Sequence, residues 1–89
     1  MDISTPHSAL VERAWQAQYA APRDSHAWAL DALAAAEAAG DAAVRAWAHL
    51  TIGYFELRYV GAAQARRSLE DAQAGFRALA DLRGTILSR

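Results

Sequence analysis

The chain has no cysteine among its 89 residues, so neither a disulfide nor a thiolate metal site can hold it together. Lysine is missing too. All nine basic side chains are arginine, and the formal net charge is only −1. That balance offers no electrostatic case for nucleic acid or an anionic membrane surface. No apolar stretch approaches the ~20 residues that a membrane-spanning helix needs, and the first residues lack the basic start and apolar run of a signal peptide. A soluble, cytoplasmic chain is expected. Proline occurs only at positions 6 and 22, so nothing of that kind interrupts helices in the remainder.

Constellations that carry chemistry are scarce as well. His7, His26 and His49 stand far apart and form no HxxxH or HExxH pair. Glu70-Asp71 is the only adjacent acidic pair. Neighbours on a helix point about 100° apart, poorly placed to share a proton or a metal. The five glycines are scattered and make no phosphate loop, and the serines sit in no nucleophile elbow. The densest basic group, Arg58, Arg66, Arg67 and Arg77, is interleaved with acids. The spacing there predicts i, i+4 pairs between Arg66 and Glu70 and between Arg67 and Asp71. No catalysis, cofactor, metal or nucleic-acid partner is expected of this chain.

Alanine is abundant, 24 residues of 89, which suits closely packed helices. The chain is organised around residues 44–60, VRAWAHLTIGYFELRYV. Trp47, Leu50, Tyr54 and Leu57 form one helical face, and Ile52, Phe55 and Tyr59 form another. A surface helix needs a single apolar stripe, so two faces predict neighbours on both sides. Around this segment, cap and break signals divide the chain. A helix over residues 6–20 is opened by Thr5-Pro6 and stopped by Pro22, after a leader over residues 1–5. A second, capped by Asp24 or Ser25, ends at Gly40. Asp41 caps the third, which runs to Gly61, and a fourth covers residues 62–79. Asp81 is expected to cap a short fifth helix over residues 82–89, too short to stand alone, which predicts a docked lid or, preferentially, continuation of the chain. Charge divides along the same line. Residues 1–44 carry two arginines and six acids, net −4; residues 45–89 carry seven arginines and four acids, net +3.

Shifting the chain by 40 residues places Leu10 on Leu50, Tyr19 on Tyr59, Asp31 on Asp71, Ala32 on Ala72 and Asp41 on Asp81, with Trp15 on Phe55. Two helix–turn–helix units follow, residues 6–40 and 41–80, with a third begun or a capping helix at 81–89. Ile52-Gly53, the turn at Gly61 and the small pair Ala65 and Ala72 give the second unit its character. On these residues the chain resembles the tetratricopeptide-repeat family in a longer, divergent form. Residues 76–84, FRALADLRG, look like the junctions in such arrays ahead of diguanylate cyclases and in large bacterial transcriptional activators.

The resemblance implies an all-α fold of antiparallel hairpins stacked in a right-handed array, with a four- or five-helix bundle as the alternative. It implies a non-catalytic interaction or regulatory domain at the N-terminal side of a larger bacterial signalling protein, with a catalytic domain to follow. A partner groove is implied at Trp47, Leu50, Tyr54, Leu57 and Arg58, with His7, Leu10, Ala14 and Gln18 as counterparts in the first unit. Trp, Tyr and Arg most often dominate binding energy, which favours Trp47, Tyr54 and Arg58. The alternative is a self-association module, a weak homodimer through Phe76, Leu79, Leu82, Ile86 and Leu87. A third option is a sensor holding a small apolar ligand between the tryptophans.

Overall fold

The computed structural model describes residues 5–87, with side chains described as far as residue 80. Within that range the chain forms α1 (Pro6–Gln16), α2 (Pro22–Ala39), α3 (Ala42–Tyr59) and α4 (Ala62–Leu87), with no strand among the described residues. The all-α class is as expected. Four helices suit two stacked hairpins and equally a four-helix bundle.

The first helix opens as the sequence requires. Thr5 Oγ1 accepts from the Ser8 backbone N–H at 3.2 Å, and Pro6 occupies the first turn, where its missing donor costs nothing. Its end is earlier than expected, at Gln16 rather than residue 20. The Gln18 side-chain amide donates to the Trp15 carbonyl at 3.0 Å, and the chain turns through residues 17–21. Pro22 does not stop α1, which has already ended six residues earlier: it is the first residue of α2. Its missing N–H costs nothing in the first turn, and the N-cap, Ala21, has only a methyl and makes no side-chain bond. Neither expected cap serves that role. Asp24 lies in the first turn, and Ser25 donates instead to the Ala14 carbonyl at 2.6 Å, joining α2 to α1.

The next turn is fully legible in the sequence. Gly40 adopts a left-handed backbone, φ 69°, and the Asp41 N–H returns to the Ala36 carbonyl at 2.9 Å. Asp41 then caps α3, accepting from the Val44 N–H at 3.1 Å. After Tyr59 the backbone N–H groups of Val60 and Gly61 both return to the Glu56 carbonyl. The fourth helix runs to Leu87 without the break expected at Asp81, so no separate fifth helix forms among the described residues. Leu82-Arg-Gly84 supplies one glycine, whose cost inside a helix is only about 1 kcal/mol, and no proline. Residues 1–4 and 88–89 lie outside the described residues.

Each helix packs chiefly on its sequence neighbours. Ser25 meets Ala14 and Arg13 lies over Trp28, an antiparallel α1–α2 pair. On α3, Phe55 stacks on His26 of α2, and Trp47 meets Phe76 of α4. Between α1 and α3 the contacts rise together, from His7–Asp41 to Gln18–Arg58, so these two run parallel. Among the described residues, no Cα of α4 comes within 8 Å of one in α1 or α2. The core is made of small side chains: Val11, Ala14, Ala29, Ala32, Ala36 and Ala48 are wholly buried, with Val44 and Ile52 beside them. Ala65 and Ala72 are buried where α4 meets α3. Gly53 supplies the closest approach. A Cβ there would stand 2.6 Å from Leu69 Cδ2, so two helices close on a position with no side chain.

Candidate interaction surface

The central helix meets α1, α2 and α4 but is not enclosed by them. α1 and α2 cover one side through Val44, Ala48 and Ile52, and α4 lies on the other across Gly53. Two clefts remain, one between α1 and α4 and one between α2 and α4.

The cleft between α1 and α4 is aromatic. Trp47 stands edge-on to Trp15 of α1 at 5.3 Å and to Phe76 of α4 at 5.4 Å, and Tyr54 lies against Trp15 at 5.7 Å. Such edge-to-face pairs fix ring orientation as well as burying apolar area. Trp47, Leu50, Tyr54 and Phe76 are half-buried, while Leu57, two helical turns beyond Leu50, is 55 % exposed. Four of the five expected groove residues therefore share one cleft. Arg58 is different. Its guanidinium donates to the Gln18 carbonyl at 3.0 Å and to Gln18 Oε1 at 2.8 Å, and it covers the Tyr19 ring at 4.5 Å. Two of its donors thus brace the end of α1, with fewer left for a partner.

The counterparts expected in the first unit do not form an equivalent open surface. Ala14 is wholly buried under α2, and Gln18 is buried beneath Arg58. His7 and Leu10 are half-buried, His7 through a 2.8 Å contact to Asp41 and Leu10 against the core. The reason is coverage: α3 occupies on α1–α2 the place that remains open on α3–α4. Of the expected self-association residues, Phe76 belongs to the aromatic cleft and Leu79 is half-buried beside Gly75 and Ala78. The side chains of Leu82, Ile86 and Leu87 lie outside the described residues.

The second cleft is open and lined mainly by small side chains with a few charges among them. Arg45 stands in it between depressions lined by Glu37 and Asp41 on one side and by Asp71 and Gly75 on the other. One turn further on, His49 has a buried Nε2 with no hydrogen-bond partner among the described residues. Burial holds its pKa below the ordinary histidine range. Arg45 pushes the same way, while Asp71, Glu37 and Glu56 oppose it.

Among the described residues the one ion pair within 4 Å is His7–Asp41, formed when His7 is protonated. The Arg66–Glu70 and Arg67–Asp71 pairs expected from spacing are not closed; all four side chains reach into solvent, where such pairs gain little. No group of three or more metal-ligating side chains exists among the described residues, and none of their helices is long and apolar enough to cross a membrane.

Two participants escaped the sequence reading. Trp15 is the hub of the aromatic cluster, and His26 stacks on Phe55 at 4.1 Å with rings 12° apart. The first left a signal, an aromatic at the equivalent repeat position of a buried helix. The second left none, because nothing local distinguishes a histidine that will meet a ring from one that faces water. Compared with protein-family models, with curated proteins and with solved structures, the chain matches none.

Proposed function

We propose that this chain is a non-catalytic protein–protein interaction domain with a regulatory role, a short tetratricopeptide-like array whose partner site is the aromatic cleft between α1 and α4. One observation carries the reading. Leu57 is more than half exposed at the end of a row in which rings from α1 and α4 hold Trp47 and Tyr54 in place, with half-buried Leu50 between them. An apolar row on a rigid floor is the kind of surface on which a partner can bury area without ordering the site first. The stacked reading draws support from the sequential packing, with α1 parallel to α3 and α4 resting on α3. Cytoplasmic residence belongs to the same proposal.

A second reading, self-association, is favoured by Phe76 and Leu79, half-buried on a helix that has a single described neighbour. Panning a random peptide library separates the two, with Leu57→Glu as the control. The proposal expects peptides that bind the parent and not the variant, with the variant's circular dichroism and melting unchanged. It is overturned if no such peptides emerge. A mass of two chains by light scattering, reverting to one in Phe76→Glu, establishes the second reading instead.

A further inference from the structure

The α4 wall of the cleft carries arginine. On α4, Asp71, Gly75 and Ala78 line the depression beside Arg45, on the α2 side of the hairpin. Arg66, Gln73 and Arg77 follow one another at i, i+7 and i+11, so they form a row on the opposite flank of α4, next to Leu69 and Phe76. Gly53–Leu69 and Trp47–Phe76 set the antiparallel register of α3 and α4. In that register Arg66 is level with Leu57, Gln73 with Leu50, and Arg77 with Trp47. All three polar side chains are exposed, and neither arginine has an acid within 4 Å among the described residues. The apolar row is therefore bordered along α4, over roughly 16 Å of helix, by an arginine at each end, with Glu70 between them on the outer edge of the same flank.

The chain already contains one example of how such a cleft is filled. On the α1–α2 hairpin, α3 lays Val44, Ala48 and Ile52, spaced i, i+4 and i+8, against Val11, Ala14, Ala32 and Ala36. A helix with an apolar stripe at four-residue spacing is what this architecture seats between two helices. A second copy fits the other cleft badly. A two-fold contact through it would bring the Arg66–Arg77 row of each protomer into one interface, where like charges oppose association.

We infer that the cleft between α1 and α4 receives an amphipathic helix of a different protein, apolar at four-residue spacing and acidic along the flank that lies against Arg66 and Arg77. This rests on the reading of that cleft as the partner site and specifies its occupant. The Coulombic part acts mainly on selectivity and on-rate and weakens with salt, while the apolar row supplies the affinity.

Two synthetic 18-residue helical peptides test it, each with leucine at i, i+4, i+8 and i+11, one flanked by glutamate and the other by lysine. Binding is read by NMR at the Trp47 indole N–H. The glutamate peptide is expected to bind at least tenfold more tightly, a preference that shrinks as salt is raised. In the Arg66→Glu/Arg77→Glu variant, which changes only exposed side chains, the preference reverses. Equal binding of both peptides, lost together in Leu57→Glu, overturns the acidic-helix inference and leaves the cleft as a partner site. If neither peptide perturbs Trp47 at millimolar concentration, the inference is overturned. If library peptides sensitive to Leu57→Glu are also absent, the underlying reading falls with it. A dimer that buries Trp47 assigns the cleft to a second copy and overturns the inference as well.

Discussion

Gly53→Ala is the sharpest probe of the fold because two effects of opposite sign meet at one position. In an exposed helix, replacing glycine by alanine stabilises by about 1 kcal/mol through helix propensity. At Gly53 the new Cβ would lie 2.6 Å from Leu69 Cδ2 and 2.8 Å from Cγ, well inside contact distance. The Leu69 backbone nitrogen, at 3.4 Å, limits how far the pair of helices can slide to relieve it. Overpacking of this kind costs about 1–3 kcal/mol, so it outweighs the propensity gain. The expected net effect is a loss of about 1 kcal/mol. For a domain of this size that lowers the melting temperature by roughly 4–8 °C. Gly53→Leu should cost more. Thermal and urea unfolding followed by circular dichroism measure both. Adding Leu69→Ala should relieve the clash, so that the double variant is less destabilised than the two single changes summed, by about 1 kcal/mol. A Gly53→Ala protein that melts above the parent, or perfect additivity with Leu69→Ala, would show that α3 and α4 do not meet here.

Three further outcomes are expected. Asp41→Ala should lose about 1 kcal/mol in urea unfolding, because Asp41 caps α3 at Val44 and also holds His7, and Asp41→Asn should recover much of the cap; equal losses would deny the capping role. Arg58→Lys should lower stability nearly as much as Arg58→Ala, about 1 kcal/mol, since an ammonium cannot meet the Gln18 carbonyl and Oε1 together; full rescue by lysine would refute the two-pronged contact. Stability should fall as pH drops from 7 to 5 partly through His49. Burial depresses its folded pKa, so below about pH 6.5 the unfolded chain takes up the proton first and is favoured. His49→Gln should flatten that slope, and an NMR titration midpoint for His49 at or above 6.5 contradicts the argument.

Where a local signal decides structure, the sequence was readable. Gly40-Asp41 marks a turn because a left-handed residue followed by an N-cap has few other uses, and Gly53 is legible as a packing glycine because it interrupts an otherwise bulky helix. Signals that admit two uses misled. Pro22 can stop one helix or open the next, and here it opens α2. Asp81 can cap a new helix or fall within an old one; here α4 continues past it, and Leu82-Arg-Gly84 contains no proline to break it. The apolar row of the cleft followed from spacing alone, since Trp47, Leu50, Tyr54 and Leu57 lie on one helical face. That Arg58 turns back onto Gln18 did not. It depends on where α1 ends, which in turn depends on a side-chain bond from Gln18 to Trp15.

The sequential packing has a kinetic corollary. Helices that touch mainly their chain neighbours close short loops first, so the fold is expected to assemble on the microsecond-to-millisecond scale typical of low contact order. The same connectivity makes its strength uneven. α4 is held among the described elements by α3 alone, whereas α3 is gripped from three sides. The outer layer can therefore swing away while the first hairpin and α3 stay whole. In native-state hydrogen exchange, amides in the middle of α4 should open at lower free energy than those of α3 around Ala48 and Ile52. Such opening would separate Phe76 from Trp47 and dismantle one wall of the cleft, so a helix seated there would slow the exchange of α4 before that of any other part of the chain.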